Sequence, residues 1–389
     1  MKFSRRTEWH REPNSLSMLL GARRKSGKPV YDLTLSNPTD CGIAYPGTEI
    51  LNSLSNSRAL HYEPDPRGLL SARETISRHY ESKGSKADPS RIFLTASTSE
   101  AYSILFRLLC DPGGEILVPQ PSYPLFDHLA QLNDVRLTPY SLTYDHSWSV
   151  DLDSVREAIT PSTKGLVIIN PHNPTGMLLN ESMYRALKEI AFEHSIALIV
   201  DEVFVDYPLD PNHEPISTAG EENTLTFTLN GISKMAGLPQ LKLGWIIVGG
   251  SETETGEALQ RLEIVCDTYL SVNTPVQVAL PEIVRAGESV RANILERIRS
   301  NYACLRKAIR SESPASMLNS EGGWSAIIRV PSVRTDEEWA LALLDQTGIY
   351  LHPGYFYDFG TEGHLVVSLL TPREIFHQGV REIVRFVSL

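Results

Sequence analysis

An α/β fold, in which helices cover both faces of a mostly parallel sheet, is predicted by the pattern of the central part of the chain. Residues 165–170 and 197–202 are short, continuous apolar runs bounded by turn residues, as in strands that are buried on both faces. Between them, residues 181–194 carry apolar side chains at helical spacing. This strand–helix–strand order is typical of a three-layer αβα domain with neighbouring parallel strands.

The same alternation extends over residues 90–250. The predicted strands there are 91–96, 115–119, 165–170, 197–202, 224–229 and 242–248, and the predicted helices are 99–109, 125–132 and 181–194. After residue 250 the pattern changes to long helices and then to a smaller α+β unit. The predicted long helices are 251–270 and 289–310. The smaller unit that follows has predicted helices 336–344 and 373–386 and predicted strands 324–330, 349–352 and 364–370.

Composition and charge limit the class of protein. The chain has 389 residues and a formal net charge of −11, with 41% hydrophobic and 21% charged residues, which are ordinary values for a globular protein. The negative charge argues against a nucleic-acid partner, and no apolar run reaches the ~18 residues of a membrane span. The N-terminus lacks the apolar core of a signal peptide. The four cysteines lack metal-ligand spacing, so we expect a cytoplasmic protein with free thiols and no metal.

Three side chains of different chemistry follow three of the predicted strands. Asn173 comes just after strand 165–170, and Asp201 lies at the end of the next strand along the chain. Lys234 follows strand 224–229. Because ligands of open α/β sheets bind at the carboxyl ends of parallel strands, we expect these side chains to face one crevice.

Each of these side chains suits a different part of pyridoxal 5′-phosphate. A lysine amine with a lowered pKa, such as that of Lys234, can form a Schiff base with an aldehyde and then act as a general base. A buried carboxylate such as that of Asp201 can keep a pyridine nitrogen protonated. The amide of Asn173 can donate to a phenolic oxygen. The three residues in this order predict a pyridoxal-phosphate enzyme.

The chain resembles the class I/II aminotransferases of pyridoxal-phosphate fold type I, similar to aspartate aminotransferase, from residue 31 to the last helix. Besides the three residues above, the resemblance rests on Tyr62 followed by Gly68 and Arg73, and on residues 95–101 at a strand-to-helix turn. It implies the three-layer large domain over residues 46–285 and a smaller α+β domain made of residues 1–45 and 286–389. It also implies transfer of an amino group from an amino acid or amine to a keto acid or aldehyde.

The resemblance assigns further residues to the cofactor. The hydroxyl and backbone N–H groups of residues 97–99 suit a phosphate at a helix N-terminus, although a plain N-cap is the alternative there. Tyr62 is assigned to the cofactor phosphate of the neighbouring subunit, which implies a homodimer. The residues implied at the phosphate are Ser97, Thr98, Ser99, Ser233 and Lys242. Tyr123 is implied to stack on the pyridine ring, as the third catalytic residue beside Lys234 and Asp201.

Three positions depart from the family pattern. Lys242 stands where the family usually has Arg, which keeps the charge and loses bidentate geometry. Phe204 replaces a Tyr whose hydroxyl normally donates to the phenolic oxygen of the cofactor. Val366 replaces the Arg that normally binds the α-carboxylate of the substrate. The last change predicts weak or selective activity on common amino acids, or a substrate of another kind.

Several side chains are candidates for the substrate end of the site. Asn37 could donate a neutral hydrogen bond near the position of the absent arginine, and Trp324 is implied to lie near the substrate. Aromatic residues in that region favour an apolar or aromatic substrate group. The candidate replacements for the lost cation are Arg5, Arg6, Arg329 and His352.

Other functions remain open from the sequence. A lyase, decarboxylase or racemase of the same fold would share the lysine, the aspartate and the phosphate loop. A non-catalytic regulator would not need Lys234, Asp201 and Asn173 together. The presence of all three residues therefore argues against a regulator. A nicotinamide dehydrogenase is disfavoured because no Gly-x-Gly-x-x-Gly motif follows an early strand.

Overall fold

The computed structural model describes residues 1–9, 12–309 and 313–388. The strands are β1 (Tyr31–Asp32), β2 (Ile92–Thr95), β3 (Glu115–Gln120), β4 (Arg136–Asp145), β5 (Ser147–Val150), β6 (Thr163–Ile169), β7 (Ala197–Asp201), β8 (Thr226–Gly231), β9 (Gly244–Gly249), β10 (Ser316–Leu318), β11 (Ser325–Arg329), β12 (Ile349–Tyr350), β13 (His352–Pro353) and β14 (His364–Ser368). The helices are α1 (Ser15–Lys25), α2 (Gly47–Leu54), α3 (Leu70–Glu81), α4 (Thr98–Leu109), α5 (Leu125–Leu132), α6 (Leu152–Ala158), α7 (Glu181–His194), α8 (Ile232–Met235), α9 (Glu252–Tyr269), α10 (Thr274–Ala308), α11 (Asp336–Thr347) and α12 (Arg373–Val387).

Eight strands form the large sheet, in the order β2-β9-β8-β7-β6-β3-β4-β5. Strands β4, β3, β6, β7 and β8 run parallel to their neighbours in that series. Only β9 and β5 run against them. The predicted α/β fold with a mostly parallel sheet is thereby confirmed. The register pairs Ile169 with Asp201, and Asp201 with Leu229, so the ends of β6, β7 and β8 lie side by side.

Helix α7 shows how local sequence sets the element boundaries. Asn180 is its N-cap, and its side chain accepts a hydrogen bond from the N–H of Met183, which satisfies a donor that the first turn leaves free. Ser195, at φ 53°, ends the helix in the left-handed conformation. The buried residues Tyr184, Leu187 and Ile190 lie at the predicted spacing. These signals explain why the predicted bounds 181–194 match the structure.

Helix α10 is much longer than the predicted helix 289–310, whose last residue lies outside the described residues. It begins at Thr274 and includes Pro281 in its interior. A proline interrupts the helical hydrogen-bond series and predicts a break. The helix continues because it is packed on both sides of the proline: Leu280 before it and Ile283 after it are buried in one apolar cluster, and Ile294 is buried in another.

The C-terminal part of the chain forms a second, antiparallel sheet of order β10-β11-β14-β13. The predicted strand 349–352 is in fact two short strands, because β12 pairs with β1 whereas β13 pairs with β14. Leu16 and Leu33 near the N-terminus share one apolar cluster with Val380 near the C-terminus. The division at residues 45 and 285 stays a prediction, and α10 crosses the second of these positions.

Strands β1, β4, β5 and β10 and helices α1, α2, α3, α6 and α8 were not predicted. Strand β4 lies near the edge of the sheet and is mostly exposed or half-buried, so it lacks the continuous apolar run by which buried strands are recognised. None of the described helices combines the length and apolarity that a membrane crossing requires.

Candidate active site

A cavity of about 460 Å³ opens at the carboxyl ends of β6, β7 and β8. The structure brings Asn173, Asp201 and Lys234 together in its lining. This is the edge of a parallel sheet at which ligands bind. Within the described residues, no group of three or more His, Cys, Asp or Glu side chains could hold a metal ion.

Asp201 ends β7 as a buried carboxylate. One of its oxygens accepts a hydrogen bond from the hydroxyl of Tyr102, at 3.0 Å, and the other accepts from the N–H of Val203, at 3.0 Å. Burial raises the pKa of Asp201 to about 6, although the two hydrogen bonds and the charge of Lys234 oppose the rise. A carboxylate held in this way is fixed in direction and lacks a full counter-charge, so it can bind a protonated ring nitrogen.

Lys234 lies in the short helix α8, directly after β8. Its backbone carbonyl accepts a hydrogen bond from the hydroxyl of Tyr207 at 2.5 Å. Its Nζ lies 4.8 Å from the ring centre of Trp324 and 5.7 Å from that of Phe204. Burial lowers the pKa of Lys234 to about 8, with Asp201 opposing the change. A larger share of the amine is therefore neutral near pH 7 than for an exposed lysine, which favours nucleophilic attack on a carbonyl.

Asn173 follows β6, and a residue of the small sheet orients its side chain. The amide oxygen of Asn173 accepts a hydrogen bond from the hydroxyl of Ser325 at 3.1 Å. Ser325 begins β11 and also lines the cavity. The amide nitrogen remains as the donor that Asn173 can offer to a ligand.

The part of the cavity lining near the N-terminus of α4 is rich in hydroxyl groups. The side chain of Ser97 caps helix α4 by accepting from the N–H of Glu100 at 3.2 Å, so the N-cap interpretation of that residue is confirmed. Gly244 allows β9 to pass close by, since a Cβ there would lie 3.2 Å from the carbonyl carbon of Ser97. The residues that line this part are Ser97, Thr98, Ser99, Ser233 and Lys242. A helix N-terminus surrounded by hydroxyl groups and one ammonium group suits a phosphate.

Aromatic and aliphatic side chains form another wall of the cavity. Trp324 is buried and packs edge-on against Phe204, with ring centres 5.3 Å apart. Tyr123, which is 46% exposed, follows β3 and also lines the cavity. Val366 also lines the cavity, as do its strand partner His352 and Tyr357.

Some predicted residues lie elsewhere. Asn37 does not line the cavity: its amide is used locally, donating to Asp40 at 2.7 Å and accepting from Thr39. The residue before it, Ser36, lines the cavity instead. Tyr62 is 73% exposed and lies outside this cavity in the single chain.

The proposed replacement cations also differ in position. Arg6 is paired with Asp134, and both Arg5 and Arg329 are exposed and absent from the cavity lining. Only His352 of the four candidates lines the cavity.

The sequence analysis did not single out several of the cavity residues, among them Tyr102, Ser325 and Ser36. Tyr102 and Ser325 orient Asp201 and Asn173, and Ser36 lines the cavity. Tyr102 lies one turn into α4, on its buried face, and this spacing after the phosphate loop was the available signal. Ser325 carried no such signal, because its role depends on how the small sheet meets the large one.

Comparison with known proteins agrees with this geometry. The model of the family "aminotransferase class I and II" matches residues 46–377. Glutamate-pyruvate aminotransferase AlaA of Escherichia coli is 30% identical over 269 residues, which are 68% of this chain and 66% of that relative, just under two thirds of its length. The corresponding protein of Haemophilus influenzae is 25% identical and is matched over 94% of this chain and 92% of its own.

Solved structures give the same result for the fold. An aminotransferase from Escherichia coli superposes with a TM-score of 0.87 at 25% identity, over 100% of this chain and 98% of that chain. Alanine aminotransferase from Pyrococcus furiosus superposes with a TM-score of 0.88 at 24% identity, over 99% of each chain. The resemblance inferred from the motifs is thus confirmed, and the chain belongs to the class I and II aminotransferases, a family of pyridoxal-phosphate-dependent transferases.

Proposed function

We propose that this chain is an aminotransferase that carries pyridoxal 5′-phosphate on Lys234 and moves an amino group from an amino acid or amine to a keto acid or aldehyde. The observation that carries the proposal is the presence, in one cavity, of a buried amine whose pKa is lowered and a buried carboxylate. The family match supports the reaction class. The donors and acceptors named for the relatives, glutamate, pyruvate and alanine, are the first to test here.

The side chains of the cavity fit this cofactor from one end to the other. Asp201 would hold a proton on the ring nitrogen, and Asn173 would donate to the phenolic oxygen. Tyr123 would cover one face of the ring. When bound, the cofactor supplies an aldehyde for the donor amine and an electron-accepting ring. The Lys234 amine would take the proton from the donor carbon and return it to the cofactor carbon.

The phosphate end is proposed to be completed by a second copy of the chain. The N–H groups at the start of α4, the hydroxyls of residues 97–99 and 233, and the Lys242 ammonium group would bind the phosphate. Tyr62 is exposed on one chain and would reach the phosphate of the neighbouring subunit in a homodimer. We propose the cytoplasm as its compartment, since all four cysteines are free thiols and reducing compartments maintain that state.

The direct test is to locate the cofactor on the chain. The purified protein is incubated with pyridoxal phosphate, reduced with borohydride and analysed by peptide mass spectrometry. We expect the cofactor mass on Lys234, together with a visible absorption band before reduction. Lys234→Ala should lose both signals, whereas the control Lys188→Ala, at a lysine paired with Glu221 outside the cavity, should keep them.

Reaction class is tested on the same loaded protein. Adding an amino donor without an acceptor should bleach the visible band, and adding a keto acid or aldehyde should restore it. Modification of another lysine, or a band that no donor affects, would contradict the proposal. A donor that loses carbon dioxide and leaves the band unchanged would point to the decarboxylase alternative.

A further inference from the structure

Val366 lies in the wall of the cavity where β13 and β14 are paired. Its side chain is only 2% exposed, and in the antiparallel register it is the partner of His352. It belongs to an apolar cluster with Ile327, Leu318 and the ring of Tyr357. This part of the wall therefore presents methyl groups and an aromatic ring to a ligand.

Side chains that can carry a full charge near pH 7, with histidine left aside, are few in the lining of this cavity. Among the described residues that line it, they are Lys234, Lys242 and Asp201, and no arginine is present. The proposed function assigns all three to the cofactor. A carboxylate on the donor would lose its water at Val366 and gain no ion pair there, which is unfavourable.

His352, the strand partner of Val366, and Tyr357 provide polar groups in this part of the cavity lining. The Nδ1 atom of His352 and the hydroxyl of Tyr357 lie 3.0 Å apart, within hydrogen-bond distance. Burial lowers the pKa of His352, and the nearby carboxylate of Asp32 opposes this. Burial also raises the pKa of Tyr357 and of Tyr350, whose rings pack near the imidazole. Near pH 7 the pair is neutral and offers hydrogen bonds without charge.

The remaining wall suits an apolar group. Phe204 and Trp324 meet edge to face beside Lys234. Helix α5 adds the side chains of Leu125, Phe126 and Leu129 to the lining. Burying the apolar surface of a substrate against such a wall is favourable.

We propose that the amino donor is a primary amine with an apolar or aromatic substituent and no free α-carboxylate, and that Val366 and the His352–Tyr357 pair determine this specificity. The inference rests on the proposed aminotransferase function and names the substrate class of the same site. The donor R–CHX–NH₂, in which X is hydrogen or a neutral group such as an amide, exchanges its amino group for the carbonyl oxygen of the cofactor aldehyde. Its carbon is oxidised to an aldehyde or a ketone and the cofactor carbon is reduced to an amine, with one water released and one consumed.

Three donors that share one aromatic substituent test the proposal on the cofactor-loaded enzyme. They are 2-phenylethylamine, L-phenylalaninamide and L-phenylalanine. On the carbon that bears the amine, the first has only a second hydrogen, the second a neutral amide and the third a carboxylate. The rate of bleaching of the visible band is measured against donor concentration in a single turnover. We expect second-order rate constants at least about tenfold higher for the amine and the amide than for the amino acid.

Substitutions at the wall separate charge from bulk. Val366→Arg should raise the rate constant for L-phenylalanine about tenfold or more, whereas Val366→Met, which adds length without charge, should not. Tyr357→Phe should lower the rate constant for the amide more than for 2-phenylethylamine, because only the amide can use the lost hydrogen bond.

The outcomes distinguish this inference from the proposed function. If the wild-type enzyme reacts with L-phenylalanine as fast as with the amine, the inference is overturned and the aminotransferase function stands. If none of the three donors, nor alanine or glutamate, bleaches the band, both are overturned. Should Val366→Arg fail to fold, the comparison of donors on the wild-type enzyme decides alone.

Discussion

The hydroxyl of Tyr102 donates a hydrogen bond to the carboxylate of Asp201 across 3.0 Å, and both residues are buried. The contact links the first turns of α4, which begins at the phosphate end of the cavity, to the end of β7. One hydrogen bond thereby joins the two parts of the chain that are proposed to hold opposite ends of the cofactor.

The buried carboxylate predicts an unusual pH dependence of stability. Burial raises the pKa of Asp201 from 3.8 to about 6, so in the cofactor-free protein the folded state binds more protons than the unfolded chain between these values. The free energy of unfolding therefore falls as pH rises through this window. Asp201→Asn should stabilise the cofactor-free protein at pH 8 by up to about 3 kcal/mol, and by less at pH 5.

The measurement that checks this prediction is urea unfolding at several pH values. A second buried aspartate, Asp206, provides its control. Burial opposes ionisation of Asp206, but Lys83 and Arg291 outweigh it and lower the pKa of that carboxyl. Asp206→Asn should therefore destabilise the protein at pH 8. A loss of stability in both variants would show that the Asp201 carboxylate is stabilising.

Lys234 should be the most reactive lysine near neutral pH. Its pKa is lowered to about 8 by burial, whereas an ordinary lysine titrates near 10.4. Competitive labelling of the cofactor-free protein with a small amine-specific reagent, read by mass spectrometry from pH 6 to 10, should give a midpoint near 8 for Lys234. A midpoint close to that of the exposed lysines would refute the expected burial effect.

Phe204→Tyr should lower the pH at which the visible band of the loaded protein shifts. The ring of Phe204 lines the cavity beside Lys234, and a hydroxyl there would donate to the phenolic oxygen of the cofactor. Stabilising that phenolate weakens its hold on the proton it shares with the lysine nitrogen. The check is a spectral titration of both proteins, and an unchanged or higher midpoint in the variant would count against it.

Lys242→Arg should tighten cofactor binding several-fold, since a guanidinium group can bind a phosphate with two parallel hydrogen bonds. Lys242→Ala should weaken binding by a larger factor because the charge is lost. Equilibrium titration of the cofactor-free proteins with pyridoxal phosphate measures both effects. A higher affinity of the wild type than of Lys242→Arg would contradict the proposed phosphate contact.

Mixing two inactive variants tests the proposed role of Tyr62 across subunits. Lys234→Ala removes the amine from one chain and Tyr62→Ala removes the phosphate contact from the other. If Tyr62 acts in the neighbouring subunit, a mixed dimer has one complete site, and random pairing restores roughly a quarter of all sites. Activity that stays at the sum of the two single variants would place Tyr62 outside the site.

The sequence by itself indicated six of the eight strands of the large sheet, several of its helices and the chemistry at the strand ends. Strands such as β7 are continuous apolar runs, and α7 carries its own caps and spacing, so these signals are local to the chain. Asn173, Asp201 and Lys234 could be placed in one crevice because parallel strands end at the same edge of a sheet.

Only the tertiary structure decided which side chains orient these groups and which face the substrate. Ser325 reaches Asn173 and His352 lies opposite Val366 through pairing between distant segments, and Asn37 turns to Asp40 instead of the cavity. Helix α10 likewise continues past Pro281 because its packing outweighs the local cost of a proline. Contacts of this kind depend on the summed packing of the whole chain, which no local pattern specifies.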